Sequence, residues 1–285
     1  MSILTDLSDS VTALAETTGA RVIAVRHPEG GQSSGFIWRT GLAVMAEETL
    51  AGEEEVEAVL PDGRAVTARI AGRDPTTDVA LLDLETRSFA DWPQATLPRP
   101  GAFALVAGRS ETSLIARLAS IVSVGPEWQS RRGGKIDARI TLDQRLSRMA
   151  EGGAVVAPDG SLIGMAVTAA GGRAIVIPAS SMARSITTLG EKGYVPRPWL
   201  GVALHPLAEG QGAVVLSVEP ASPATAAGLL VGDIITTWDG EAALTVGGIA
   251  ARIAGSSVGR SVKLGVSRGG NVSAFDIVLG ERPRR

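Results

Sequence analysis

Met149-Ala150-Glu151-Gly152-Gly153-Ala154-Val155-Val156 is followed by Ala157-Pro158-Asp159-Gly160 and then by Ser161-Leu162-Ile163-Gly164. Two glycines precede a short apolar strand, a Pro-Asp-Gly turn and a second apolar strand, so the stretch reads as a tight loop feeding a β-hairpin. Glu151 stands at the apex of that loop. The same pattern repeats on both sides. Short apolar and β-branched runs occupy Val22 to Val25, Gly35 to Trp38, Leu42 to Met45, Val56 to Leu60, Ala65 to Ile70, Val79 to Leu84 and Phe103 to Ala107. Others follow at Leu114 to Val124, Ile136 to Thr141, Leu162 to Val167 and Ala174 to Ile177. Turn signals such as Pro61-Asp62-Gly63 divide them, and their number and spacing predict an antiparallel barrel or sandwich.

Helices bracket these strands. Ile3, Leu4, Leu7, Val11, Leu14 and Ala15 recur at three-and-four spacing, with Thr5 or Asp6 as cap, and predict an amphipathic helix packing one face on the domain. A second helix is predicted over Ala179 to Leu189. After it, two prolines and two glycines between Gly190 and Pro198 break all periodicity and read as a linker. The loop from Gly125 to Lys135, with Trp128, Arg131 and Arg132, reads as a basic solvated surface segment. A second domain begins near Trp199. Its strands are expected at Leu200 to Leu204, Gly212 to Val218, Asp233 to Trp238, Ser261 to Ser267 and Val272 to Leu279, with short helices near Ala224 to Ala227 and Val246 to Ala254.

A chain of 285 residues suits two domains, each able to bury its own core. Hydrophobic residues at 45% and charged ones at 20% argue against disorder. With 27 Lys and Arg against 30 Asp and Glu, the net charge of −3 offers no positive field for phosphate backbones, so no nucleic-acid partner is expected. The absence of cysteine excludes disulfides, thiolate metal ligands and a Cys nucleophile. No run approaches the length of a membrane span. Met1 to Ala20 carries Asp6, Asp9 and Glu16 with neither a basic n-region nor an unbroken apolar h-region, so no signal peptide and a cytoplasmic location are expected.

Several segments carry a likeness: Ser34-Gly35-Phe36-Ile37, Gly72-Arg73-Asp74-Pro75-Thr76-Thr77-Asp78-Val79-Ala80, Ser120-Ile121-Val122-Ser123, Val176-Ile177-Pro178, Trp199-Leu200-Gly201-Val202 and the run from Gly228 to Ile235. Their order and spacing resemble the HtrA (Deg) family of trypsin-like serine proteases with PDZ domains, from about Gly35 onward. The resemblance implies a mainly β fold: a trypsin-like double β-barrel with its N-terminal helix over residues 1–190, a linker over 191–198, and a PDZ domain over 199–285. It also implies the triad positions. Asp78 matches the family's catalytic Asp, which follows Asp-Pro-x-Thr. Glu48 occupies the place of the His, and Glu151 that of the Ser.

Acyl transfer needs a hydroxyl activated by a neutral imidazole that a carboxylate orients. Glu48 is not such a base, Glu151 is a weak nucleophile, and Met149 replaces the oxyanion glycine with a residue whose Cβ penalises positive φ. No catalytic set is intact. The histidines, His27 and His205, read as surface or turn residues, and Ser147 lies four residues before Glu151, outside the tight loop. Three carboxylates meeting at Glu48, Asp78 and Glu151 cannot all ionise cheaply. The plainer expectation is protonation, solvent, or pairing with Arg145 or Arg148; the sharper one is a hard cation such as Ca²⁺ or Mg²⁺. Paired-carboxylate hydrolysis is weakened by aromatics totalling only 4%. No cofactor and no metal ligand set is assigned.

By the same resemblance, Trp199, Leu200, Gly201 and Val202 form the PDZ carboxylate-binding loop, and Val246, Ile249 and Ile253 wall its groove, although three apolar residues on one helix face also suit a core. The partners expected are protein or peptide C-termini. Family trimers rest on N-terminal aromatics, and residues 1–33 contain none, so a trimer is not favoured. The reading is a catalytically inactive pseudoprotease acting as a peptide-binding scaffold or chaperone-like protein. The alternative is a divergent serine-type or metal-assisted hydrolase with a rebuilt active site.

Overall fold

The computed structural model describes residues 2–130, 132–169, 171–208, 211–243 and 245–283. The chain divides into two compact units, Met1–Val195 and Pro196–Arg285. In the first unit, β1 (Val22–Arg26), β2 (Gln32–Arg39), β3 (Leu42–Ala46), β4 (Glu55–Val59), β5 (Ala65–Asp74) and β6 (Val79–Asp83) close an antiparallel barrel in the order β1-β2-β3-β6-β5-β4. A second barrel is closed by β7 (Phe103–Arg109), β8 (Leu114–Gly125), β11 (Arg139–Arg145), β12 (Ala154–Val156), β13 (Leu162–Thr168) and β14 (Arg173–Pro178). Between β8 and β11 stands a short hairpin of β9 (Trp128–Gln129) and β10 (Lys135–Ile136).

Strand periodicity explains why these runs look continuously apolar. Alternate residues of a strand face opposite sides. Ile23, Val25, Ile37, Ala43, Met45, Ala80 and Leu82 fill the first barrel, while their neighbours Val22, Phe36, Val44, Ala46, Val79 and Leu81 pack against Leu105, Ala107, Ala154 and Met165 of the second. Both faces are dry, so polar alternation disappears. Helix α2 (Ala179–Lys192) adds Met182, Ile186 and Leu189 to the cluster between the barrels and stops where Gly193 turns to φ 71°. The segment expected as a linker therefore begins as helix, and the two units part between Val195 and Pro196.

Three local expectations need correction. Helix α1 (Ile3–Gly19) is capped by Ser2, whose hydroxyl accepts the Leu4 N–H at 3.3 Å, not by Thr5 or Asp6. Only its C-terminal half packs: Val11, Leu14 and Ala15 meet the core, whereas Ile3 is 85% and Leu4 75% exposed. The strand expected over Ile136 to Thr141 is interrupted at Asp137, whose carboxylate takes two bonds from Arg184 and whose N–H donates to Ser181. The basic loop is anchored: Arg132 pairs with Glu47 at 3.1 Å.

In the second unit the sheet runs β16 (Val202–Pro206), β17 (Ala213–Val218), β18 (Ile234–Trp238), β20 (Ser261–Arg268), β21 (Asn271–Val278), with β19 (Glu241–Ala242) beside β18. A two-stranded pair joins β15 (Pro198–Trp199) to β22 (Gly280–Glu281). Helices α3 (Pro223–Ala226) and α4 (Val246–Ala254) complete it around Leu200, Val215, Ile235, Trp238, Ile249 and Leu264.

Candidate functional site

Glu48 lies where β3 ends in a 3-10 turn, Glu47–Thr49. Asp78 is the last residue of the turn between β5 and β6, and buried Asp74 shapes that turn. Its carboxylate accepts from the Thr76 N–H at 2.9 Å and from the Thr77 and Ser185 hydroxyls at 2.6 and 2.7 Å. Asp78 itself adopts φ 60°, a left-handed backbone rare outside glycine. From there its Oδ1 accepts the Glu48 N–H at 2.7 Å. Burial pushes the Asp78 carboxyl up to about 8, the Glu48 N–H opposes this, and Glu48, Glu151 and Glu47 add to the rise. Glu48 is exposed, yet partial desolvation also raises it, opposed by Arg132 and reinforced by Glu47.

Glu151 is 6% exposed. Its carboxylate accepts the Thr168 N–H at 2.6 Å and the Thr168 hydroxyl. Burial raises its affinity for a proton, the Thr168 bonds counter this, and Glu48 adds to it. The arginines expected to pair with it do not: Arg145 lies beside Gly172 and Arg148 beside Gly31. The paired carboxylate is instead Glu47, held by Arg73 at 2.9 Å and Arg132 at 3.1 Å. Glu48 and Glu151 thus each raise the proton affinity of Asp78, and Glu48 that of Glu151. The cation alternative gains no support, since no group of three His, Cys, Asp or Glu among the described residues is arranged to hold a metal.

The backbone of the 147–153 loop is closed on itself. Arg148–Ala150 form a 3-10 turn, and Met149 does not adopt the positive φ that its Cβ penalises. The Ala150 N–H donates to Ser147 O at 2.8 Å, the Glu151 N–H to Arg148 O at 3.2 Å, and the Gly153 N–H to Ala150 O at 3.0 Å. The first barrel clamps this loop. Ser34 donates its N–H to Glu151 O at 2.8 Å and its hydroxyl to Met149 O at 2.5 Å. Gly152, at φ 81°, passes so close that a Cβ there would sit 2.3 Å from Ser34 O. Ser34 lies in the Ser34-Gly35-Phe36-Ile37 segment that carries the family likeness, and no local signal marks it as a clamp on this loop.

His27 is half-buried rather than a surface residue. Its Nε2 lies 2.9 Å from Ser33 Oγ, its buried Nδ1 has no partner, and burial lowers its pKa. That spacing suits a base and a nucleophile, but Ser33 is 1% exposed. Ser147 precedes the 3-10 turn, and His205 is exposed on β16.

In the second unit, Gly201 turns at φ 84° against Ser222, the cap of α3; a Cβ at 201 would lie 2.2 Å from Ser222 Cβ. The carbonyls of Leu200 and Gly201 accept from Ala224 and Glu219 at 3.0 and 2.8 Å. Among the described residues, no backbone carbonyl takes the N–H of Leu200 or Gly201. Strand β16 is the outer strand of the sheet, and α4 packs beside it. Two expectations shift here. Leu200 and Ile249, 1% and 0% exposed, are core, whereas Val202, Val246 and Ile253 are half-buried and Trp199 sits in β15.

Two family descriptions match the chain: trypsin-like peptidase domain over residues 33–165 and PDZ domain over residues 198–279. Among curated proteins it is similar to a probable periplasmic serine endoprotease DegP-like of Bartonella henselae, 30% identical over 268 residues, 87% of this chain and 52% of that one. It is also similar to a probable periplasmic serine protease do/HhoA-like of Haemophilus influenzae, 30% identical over 280 residues, 90% of this chain and 59% of that one. The chain spans just over half the length of these curated relatives. Among solved structures, HtrA-type protease AlgW with decapeptide superposes with a TM-score of 0.71 at 23% identity, over 96% of this chain and 99% of that one. The serine endoprotease from Yersinia pestis does so with a TM-score of 0.74 at 22% identity, over 96% and 98%. At these identities the structural likeness shows the fold. The expectation of a cytoplasmic location is overturned: relatives from Bartonella, Brucella, Haemophilus and Rhizobium are named periplasmic, which points to the periplasm. The composition of Met1 to Ala20 does not decide the compartment.

Proposed function

The chain belongs to the HtrA (Deg) family, a trypsin-like double barrel joined to a PDZ domain, and from that premise we propose that it is a pseudoprotease that works by binding peptide C-termini. The observation that carries the reading is the state of the 147–153 loop. Glu151 stands where a nucleophile is required, its carboxylate is bonded to Thr168, and the N–H groups of Ala150 and Glu151 are paired inside a 3-10 turn. An oxyanion needs open donors aimed at it, and of the two that this fold draws from residues 149 and 151, the Glu151 N–H is turned back onto Arg148 O at 3.2 Å. Glu48, whose N–H is held by Asp78, provides no imidazole.

Binding chemistry is better supplied. The N–H groups of Leu200 and Gly201 suit a terminal carboxylate, and the outer strand β16 beside α4 suits an added peptide strand. Val202, Val246 and Ile253 favour an apolar terminal side chain, and a scaffold or chaperone-like role follows from such capture.

The test pairs two assays on the full chain. A fluorophosphonate probe and casein digestion are expected to give no labelling and no cleavage. A fluorescent peptide with an apolar free C-terminus is expected to bind, and its C-terminal amide to bind at least about tenfold more weakly. Cleavage lost on Glu151→Ala sinks the pseudoprotease reading, and equal binding of acid and amide sinks the peptide-terminus reading. The hydrolase alternative rests on His27 and Ser33 at 2.9 Å. It requires labelling that disappears in Ser33→Ala.

A further inference from the structure

Outside the carboxylate cluster, the first unit holds a cavity of about 480 Å³ between the end of α1, the Leu60–Arg64 turn and the segment around Phe89. Its walls are apolar at Ile37, Leu60, Phe89 and Leu114. Its charge is not balanced. Arg64 and Asp62 line it and pair with one another at 2.9 Å. That leaves Arg87 and Arg109 against Glu16.

Arg109 is the unusual member. It is half-buried, with Nε donating to Val22 O at 2.7 Å and Nη2 to Gly19 O at 3.0 Å. Both acceptors are carbonyls, and neither Arg87 nor Arg109 forms an ion pair among the described residues. Burial lowers the Arg109 pKa, and no carboxylate offsets it. A guanidinium withdrawn from water without a counterion is unfavourable unless something anionic completes it. Arg87 stacks over the Phe89 ring at 4.9 Å, and Arg21 approaches the same ring at 5.2 Å, so positive charge surrounds the apolar wall.

We propose that this cavity binds a small carboxylate with an apolar body, its anion on Arg109 and Arg87 and its body against Leu60, Phe89 and Leu114. The volume lies within the usual range of ligand cavities, about 300–1,000 Å³. With Asp62 and Arg64 paired, Arg87 and Arg109 against Glu16 leave one net positive charge on the lining, which suits a monoanion. The site is independent of the peptide-terminus loop at Leu200 and Gly201.

Octanoate is the probe, titrated into the full chain by calorimetry with its neutral twin octanamide beside it. Octanoate is expected to bind saturably and octanamide about tenfold more weakly. Arg87→Gln, at an exposed position, is expected to weaken octanoate about threefold, and Arg109→Gln about tenfold. Arg109→Gln also removes bonds to Val22 and Gly19, so the amide comparison and Arg87→Gln decide the matter if that variant folds poorly. A free-terminus peptide distinguishes the other source of a carboxylate: its binding should survive Arg109→Gln and fail in Gly201→Ala, with octanoate showing the reverse. Equal binding of octanoate and octanamide, absence of saturation at millimolar octanoate, or octanoate lost in Gly201→Ala overturns the proposal.

Discussion

Asp78 is subject to opposing influences. The Glu48 N–H at 2.7 Å favours the carboxylate, whereas burial and three neighbouring acids favour the neutral acid, and the latter prevail at about 8. The unfolded chain releases this proton near the ordinary 3.8. Between those values the folded state holds a proton that the unfolded state has lost, so stability falls as pH rises. The contribution is fully present below about 3.8 and gone above about 8. Asp78→Asn keeps the acceptor for Glu48 but cannot ionise. Urea unfolding from pH 5 to 9 is expected to show the wild-type chain losing on the order of a few kcal/mol more than Asp78→Asn. Parallel curves would refute the assignment. The raised Glu48 and Glu151 leave a residual slope of the same sign in the variant. Of this cluster, Glu48, Asp78 and Glu151 were picked out by the family resemblance alone. The Glu47 contacts with Arg73 and Arg132 were not, because those partners lie 26 and 85 residues away and nothing local marks them.

At the scale of elements, the turn from β15 into β16 depends on one glycine. Gly201 meets both requirements for the residue, a φ of 84° and a neighbour that a Cβ would strike at 2.2 Å. That neighbour, Ser222, also caps α3 by accepting the Thr225 N–H at 3.1 Å, so displacing it loosens the helix as well. Gly201→Ala is expected to destabilise the second unit by about 2–4 kcal/mol and to abolish binding of a free-terminus peptide. Gly228, at φ 80° with open space around it, is the control, and Gly228→Ala should cost only about 1–2 kcal/mol with binding retained. Thermal unfolding and anisotropy check both, and equal losses in the two would refute the packing argument. The strands themselves were readable because apolar runs between turn signals persist whichever side of a barrel is buried. The break at Asp137 was not, since it is imposed by Arg184 and Ser181 on α2, more than 40 residues on. Nor was the bareness of Ile3 and Leu4, because periodicity reports an amphipathic face and not how far along the helix a partner extends.

Across the whole molecule, proteolysis in this fold would need parts from both barrels in register: a base and its orienting acid from the first, a nucleophile and its oxyanion donors from the second. Here the first barrel offers Glu48 and Asp78, and the second offers Glu151 on a loop that Ser34 of the first barrel holds through Met149 O and Glu151 O. Restoring side chains alone therefore addresses half the deficit. Glu48→His with Glu151→Ser returns a base and a hydroxyl but leaves the residue-151 N–H, one of the two oxyanion donors, paired to Arg148 O. Opening that turn requires a backbone rotation that Met149, bearing a Cβ, resists more than glycine would. The double variant is accordingly expected to show no casein turnover, and adding Met149→Gly to raise fluorophosphonate labelling at least about tenfold, in keeping with what a lost oxyanion donor removes. Peptide-terminus binding should be the same in all three proteins, since nothing in the loop around Gly201 is altered. A double variant that digests casein as fast as the triple would mean that the closed 3-10 turn yields to substrate, and that two side chains, not the backbone beneath them, separate this chain from an active protease.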